Sequence, residues 1–270
     1  EELVRQVLDL APFRYLLASW SAESDGEAAI VWGAGVPHCE LRDHEGGFTG
    51  LEFFPEGARI LSWRRESSIA TIWDALACAP IQRLHHKGFV ECAEIFPDGS
   101  HIITCERGIG LHLWRAQGGE HVRAWSRPSV SDVAIFPSGD QVLGWSSTSK
   151  FFVWEALSGE LACRSAGLVA AIFRVQTFPR GGRWISLGGD KHATIWRNSC
   201  TVSHLLPHNE WVLDVAIVED GATLSTVDTV GEVAIWSTWS GQCLRRLRAF
   251  GSSLSMTVGL ESFSQGDLFL

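Results

Sequence analysis

Apolar and polar positions alternate with a period of two through most of this chain, and turn residues interrupt the alternation at regular intervals. Leu51-Glu52-Phe53-Phe54 runs into Pro55-Glu56-Gly57, continues as Ala58-Arg59-Ile60-Leu61-Ser62-Trp63, and closes on Ile72-Trp73-Asp74. This order predicts a strand, a Pro-x-Gly turn, a second strand, a short polar turn and a third strand that ends on Trp. The same order returns four times. Ala93-Glu94-Ile95-Phe96-Pro97-Asp98-Gly99 leads to Leu113-Trp114, and Val133-Ala134-Ile135-Phe136-Pro137-Ser138-Gly139 leads to Val153-Trp154. Val175-Gln176-Thr177-Phe178-Pro179-Arg180-Gly181 leads to Ile195-Trp196, and Val215-Ala216-Ile217-Val218-Glu219-Asp220-Gly221 leads to Ile235-Trp236. No window sustains a 3.6-residue apolar stripe across these turns, so the pattern predicts strands and not helices.

The period is the strongest signal. Trp32, Trp73, Trp114, Trp154, Trp196 and Trp236 stand 41, 41, 40, 42 and 40 residues apart. A first repeat precedes them, with Val7–Pro12, Leu16–Trp20 and Ala29–Trp32 in the three strand positions. A period near 41 with about four strands resembles the WD-repeat β-propeller family, and the resemblance covers essentially the whole chain. It implies an all-β fold, one domain over residues 1–270, with six full repeats ending near those tryptophans. The segment 250–270 matches the first half of a seventh, so the resemblance implies a seven-bladed ring that stops before its last two strands. The open end and the start at Glu1 are expected to belong to a longer chain. In such a fold the periodic aromatic residues are core, and burying each contributes roughly 1.5–3 kcal/mol.

Family members often tie a blade together with a hydrogen-bonded set of His, Ser or Thr, Asp and the repeat Trp. His44, His86 and His208 each stand eleven residues before the Pro position of their turn, as the resemblance requires. Asp190 stands six before Trp196, with Ser186 four residues earlier still, so these three are expected in one structural network. No repeat holds the full set: Ser67, Gly108 and Val230 occupy the Asp position in the three His-bearing repeats. Only Trp73 is followed by Asp, and Ala75-Leu76 beyond it lacks the Arg that goes with a ligase-adaptor role.

Composition narrows the function. Hydrophobic residues make up 46% and charged residues 20%, which marks a folding sequence. With 22 basic and 31 acidic residues the net charge is −9, against a nucleic-acid partner. No apolar run reaches the roughly 18 residues of a membrane span. Seven cysteines without a CxxC pair read as apolar filler in a reducing compartment, so the expected setting is intracellular, cytoplasmic or nuclear. Nucleotide-binding glycine motifs and an HExxH helix are absent from the sequence, and His86, His101 and His112 are not expected to meet around a metal. No cofactor, metal or catalytic residue is expected. The basic cluster Arg245-Arg246 with Arg248 reads as a solvated outer edge.

What remains is recognition. In this family partners commonly dock on the top face, on loop positions set by the repeat. Carried across by register, those positions hold Phe89, Glu91 and Arg107 in one repeat, Ser131 in the next, then Phe173, Trp211 and Leu213. Large apolar side chains beside an acid–base pair have the composition of a peptide-binding hot spot. The expected function is a non-enzymatic scaffold that binds a protein or peptide and works within a multiprotein complex or longer chain. The alternative is a regulatory or sensing propeller domain of a larger multidomain enzyme or signalling ATPase.

Overall fold

The structure, a computed structural model, describes residues 4–8, 16–20, 29–33, 36–42, 47–126, 130–146, 150–165, 171–218, 220–248, 261–262 and 268–269. The chain divides into two compact units, Glu1–Val133 and Ala134–Leu270. The first unit opens with β1 (Val4–Leu8), β2 (Leu16–Trp20), β3 (Ala29–Gly33) and β4 (Val36–Leu41). Next come β5 (Gly50–Phe53), β6 (Arg59–Trp63), β7 (Ile69–Asp74) and β8 (Ala79–His85), then β9 (Val90–Ile95), β10 (His101–Glu106), β11 (Gly110–Arg115) and β12 (His121–Ser126). The division between units falls within β13 (Asp132–Ile135), which is followed by β14 (Gln141–Trp145), β15 (Phe151–Glu155) and β16 (Leu161–Arg164). The second unit continues with β17 (Ile172–Thr177), β18 (Arg183–Gly188), β19 (His192–Arg197) and β20 (Val202–Pro207). It also holds β21 (Val212–Ile217), β22 (Thr223–Asp228), β23 (Glu232–Ser237) and β24 (Cys243–Arg248). Each group of four is one sheet whose neighbours in space are neighbours in sequence. The short pair β25 (Glu261–Ser262) and β26 (Leu268–Phe269) is all that is described of the expected half-repeat over 250–270.

Every Pro-x-Gly turn works the same way. Gly57, Gly99, Gly139 and Gly181 sit at φ between 67° and 73°, a region that favours glycine, and each donates its N–H back to the carbonyl of the Phe just after the preceding strand. Side chains that alternate along these strands then pack one sheet on the next. In the first unit Phe54, Leu61, Ile72 and Leu84 meet Ala93, Ile95, Ile102 and Trp114. In the second, Phe136, Leu143 and Val153 meet Ile172, Trp184 and Trp196, and Phe178, Ile185 and Ile195 meet Val212, Val215 and Trp236.

Two periodic features lie beyond the sequence pattern. All six pairings of a third strand with its fourth slip register at one place, immediately before the repeat Trp. A bulge there re-aims the indole that follows it. In addition, in three repeats the residue four after the turn Pro links neighbouring sheets by reaching the turn after the next repeat Trp. Arg59 donates to the Ala116 carbonyl at 3.1 Å, Gln141 accepts from Asn198 Nδ2 at 2.8 Å, and Arg183 donates to the Thr238 carbonyl at 2.7 Å.

The cysteines correct an expectation. Six of the seven are paired, as Cys39–Cys78, Cys92–Cys105 and Cys163–Cys200, with Cα separations of 6.2, 5.0 and 5.9 Å, and Cys243 stands free and exposed. Cys92 and Cys105 face each other across β9 and β10, and the other two pairs lie 39 and 37 residues apart, close to one repeat. Repeat geometry brought together residues whose odd count suggested filler, and cysteine usage no longer argues for a reducing compartment.

Candidate functional site

The repeat tryptophans carry a hydrogen-bonded set in four repeats. Trp73, Trp114, Trp196 and Trp236 each donate Nε1 at 2.9 Å to a hydroxyl on the second strand, from Ser62, Thr104, Ser186 and Thr226. His86 Nε2 and His208 Nε2 complete two of these sets, each 2.7 Å from the threonine oxygen. Burial holds both imidazoles below the usual histidine range, His86 down to about 4, with neighbouring His112 adding to the effect. Asp190 does not join Ser186 and Trp196: its carboxylate accepts the His192 N–H at 3.3 Å and shapes the turn locally. Near the position expected for Asp in the His208 repeat, the buried Asp228 accepts from the N–H groups of Val230 and Glu232. His44 lies outside the described residues.

The expected recognition residues fall into two groups, one in each unit. In the first unit Phe89 is 45% exposed, with the Arg107 guanidinium 5.5 Å from its ring centroid. Arg107 is paired with Glu91 and donates its backbone N–H to the Phe89 carbonyl at 2.8 Å. Glu91 also faces Arg65 at 3.8 Å, so one carboxylate neutralises part of two guanidinium groups. Arg65 in turn donates its backbone N–H to Thr49 Oγ1 at 3.0 Å. Half-buried Ser131 precedes Asp132, whose carboxyl is pushed up to about 6 by burial, against the lowering effects of the Val133 N–H and Arg65. Sequence reasoning named Glu91, Arg107 and Phe89 but missed Arg65 and Asp132. Neither occupies a loop position that the repeat marks.

In the second unit Phe173 and Trp211 are 53% and 57% exposed. The strand residues beside them, Arg174 and Asp214, form an ion pair at 3.0 Å with the Asp214 side chain almost wholly buried. The Trp211 loop is held from two directions. Lys191 Nζ donates to the Asn209 carbonyl at 2.7 Å and pairs with Glu210 at 3.2 Å, and Thr229 donates its N–H to the Trp211 carbonyl at 2.9 Å. Leu213 is half-buried and packs against Ala216, Val227 and Val233, so it supports the loop from below. The arginine-rich β24 is exposed along all six residues, with Arg246 paired to Glu232.

Comparison with solved structures fixes the fold. The chain superposes on the β-propeller domain of Cps50 (Swd1) from Myceliophteria thermophila with a TM-score of 0.72 and 16% identity, over 97% of this chain and 92% of that one. The chain has a β-propeller fold. Its repeats also superpose on the computationally designed Ika8 protein, with a TM-score of 0.78 and 17% identity, over 96% of this chain and 77% of that one. No protein-family model matches the sequence. Among curated proteins, a stretch of 114 residues is 31% identical to the periodic tryptophan protein 2 homolog of Neurospora crassa, covering 41% of the propeller and 13% of that relative. A stretch of 122 residues is 27% identical to eukaryotic translation initiation factor 3 subunit I of Candida albicans, covering 42% of the propeller and 35% of that relative. The propeller therefore spans well under half the length of either. Among the described residues no helix is long and apolar enough to cross a membrane.

Proposed function

We propose that this propeller is a non-enzymatic scaffold that captures a protein or peptide through the loops carrying Phe89 and Trp211. The observation that carries this reading is the pairing of exposure with fixation. Phe89, Phe173 and Trp211 are each about half exposed, yet Arg107, Glu91, Lys191 and Glu210 hold the loops around Phe89 and Trp211 in place. A rigid aromatic side chain that loses little freedom on binding is the kind of residue that dominates interface energetics. Glu91, Arg107 and Ser131 supply the polar rim. One relative is by name a subunit of a translation initiation factor, which supports work within a multiprotein complex and an intracellular setting. The net charge of −9 speaks against a nucleic-acid partner, and the repeat period supports a single domain closing as seven blades.

A second reading, a regulatory propeller within a longer enzyme or signalling ATPase, is favoured by the 13% share of the Neurospora crassa relative that the match covers. Both readings use the same loops. The test is quantitative affinity capture from cell extract with the wild-type chain, with Phe89→Ala and with Trp211→Ala, followed by direct binding to the purified partner. The scaffold reading expects at least one variant to lose that partner at least tenfold while its melting temperature stays within a degree or two. Full capture by both, or collapse of the fold, contradicts it.

A further inference from the structure

We propose that His112 and His121 form a binding site for a divalent transition-metal ion of the nickel or copper(II) type. His112 lies on β11 and His121 at the start of β12. The bulge between Leu113 and Trp114 sets Trp114 opposite His121, and since His112 and Trp114 are two residues apart on one strand, both imidazoles share a face of the sheet. The His112 Nδ1 and His121 Nε2 atoms stand 3.0 Å apart. Metal–nitrogen bonds of about 2.0–2.1 Å to two atoms at that separation subtend roughly 90–97°. This is a cis angle of tetragonal or octahedral coordination, and it is well short of the tetrahedral angle.

A second, independent contact prepares the ligand. Glu106, with its side chain 1% exposed, places Oε2 2.7 Å from His112 Nε2. The contact is an electrostatic one without full hydrogen-bond alignment, and the carboxylate favours the proton on Nε2. That choice leaves Nδ1 unprotonated on the side that faces His121. Carboxylate–histidine–metal arrangements use the same logic, in which the outer carboxylate fixes the tautomer and raises the basicity of the ligating nitrogen. Glu106 is itself held, accepting the Gly88 N–H on its other oxygen. Trp114 braces both rings, near-parallel to His112 at 6.1 Å and edge-on to His121 at 4.7 Å.

His86 lies 5.5 Å from His112 but is not a ligand. Its Nε2 faces Thr104 and its Nδ1 the Ser68 carbonyl. His101 sits beside Phe96, with its Nδ1 facing the Ser100 hydroxyl. No set of three or more His, Cys, Asp or Glu residues suited to a metal occurs among the described residues, so the remaining coordination positions belong to water. Binding displaces the proton that His121 Nε2 shares with His112 Nδ1; by exchange with water His121 takes its proton on Nδ1 instead, so each ring stays neutral and presents one bare nitrogen to the ion.

The test is calorimetric titration of the full chain with Ni²⁺ and separately with Cu²⁺, comparing wild type with His121→Ala. His121 is exposed, so its removal leaves the fold intact. The site predicts one equivalent bound by wild type and an affinity at least tenfold weaker in the variant. A second readout locates the ion: paramagnetic broadening of the Trp114 indole N–H signal, assigned with Trp114→Phe. Equal affinity in both chains, or broadening that spares Trp114, would place the metal on other histidines among the ten and overturn the proposal.

Discussion

Single residues decide how the polar interior of each blade is satisfied. Thr226 serves two side chains at once, the Trp236 indole and the His208 ring, and also reaches the Ala234 carbonyl. Thr226→Val keeps the shape and leaves both without a hydroxyl, which is expected to cost about 1–3 kcal/mol in urea denaturation. A change within about 0.3 kcal/mol would mean that water replaces the hydroxyl. Asp132 gives a prediction with a sign. Its folded pKa near 6 lies above the ordinary value of about 3.9, so the folded state holds the proton more tightly. The carboxyl's contribution is therefore intact below pH 4 and lost as pH rises through 6, reaching a penalty of about 3 kcal/mol at pH 7.5. Asp132→Asn cannot ionise, so it should gain on wild type between pH 4 and 7.5 and stay level above. A pH-independent difference between the two proteins would contradict this.

At the scale of the element, the chain was legible where a feature repeats within one strand or turn. Phe54-Pro55-Glu56-Gly57 and its four echoes marked the first hairpins, and the tryptophans marked the third strands, because both depend on local alternation and a glycine at positive φ. What depends on a neighbouring sheet was not legible. Arg59, Gln141 and Arg183 look like ordinary polar strand residues, yet each reaches the main chain or side chain of the next blade. The cysteine pairs were hidden for the same reason. The link between Gln141 and Asn198 is testable by a double-mutant cycle to Ala, with an expected coupling of about 0.5–1.5 kcal/mol. Additive single effects would show that the contact contributes nothing to holding the two sheets together. Phe89, Phe173 and Trp211 are each about half exposed, whereas Leu213 turns toward the core. The ion pairs that fix those loops join a turn residue to a residue of another turn or strand, and no sequence signal marks them.

For the whole molecule, the account rests on a division of labour between periodic core and non-periodic loops. Repeat tryptophans, turn glycines and sheet-to-sheet links build the propeller, and in the proposed function side chains outside that pattern meet the partner. Phe89 and Trp211 are the residues to change, because neither contributes to the buried clusters while both sit on loops held by ion pairs. The decisive measurement is binding of the captured partner, once purified, to the Phe89→Ala/Trp211→Ala double variant alongside its thermal melt. The account predicts loss of binding by at least a hundredfold, about 2.7 kcal/mol, with a melting temperature within two or three degrees of wild type. Retained binding, or a melting temperature lowered by ten degrees or more, would contradict it and return these aromatic side chains to the core.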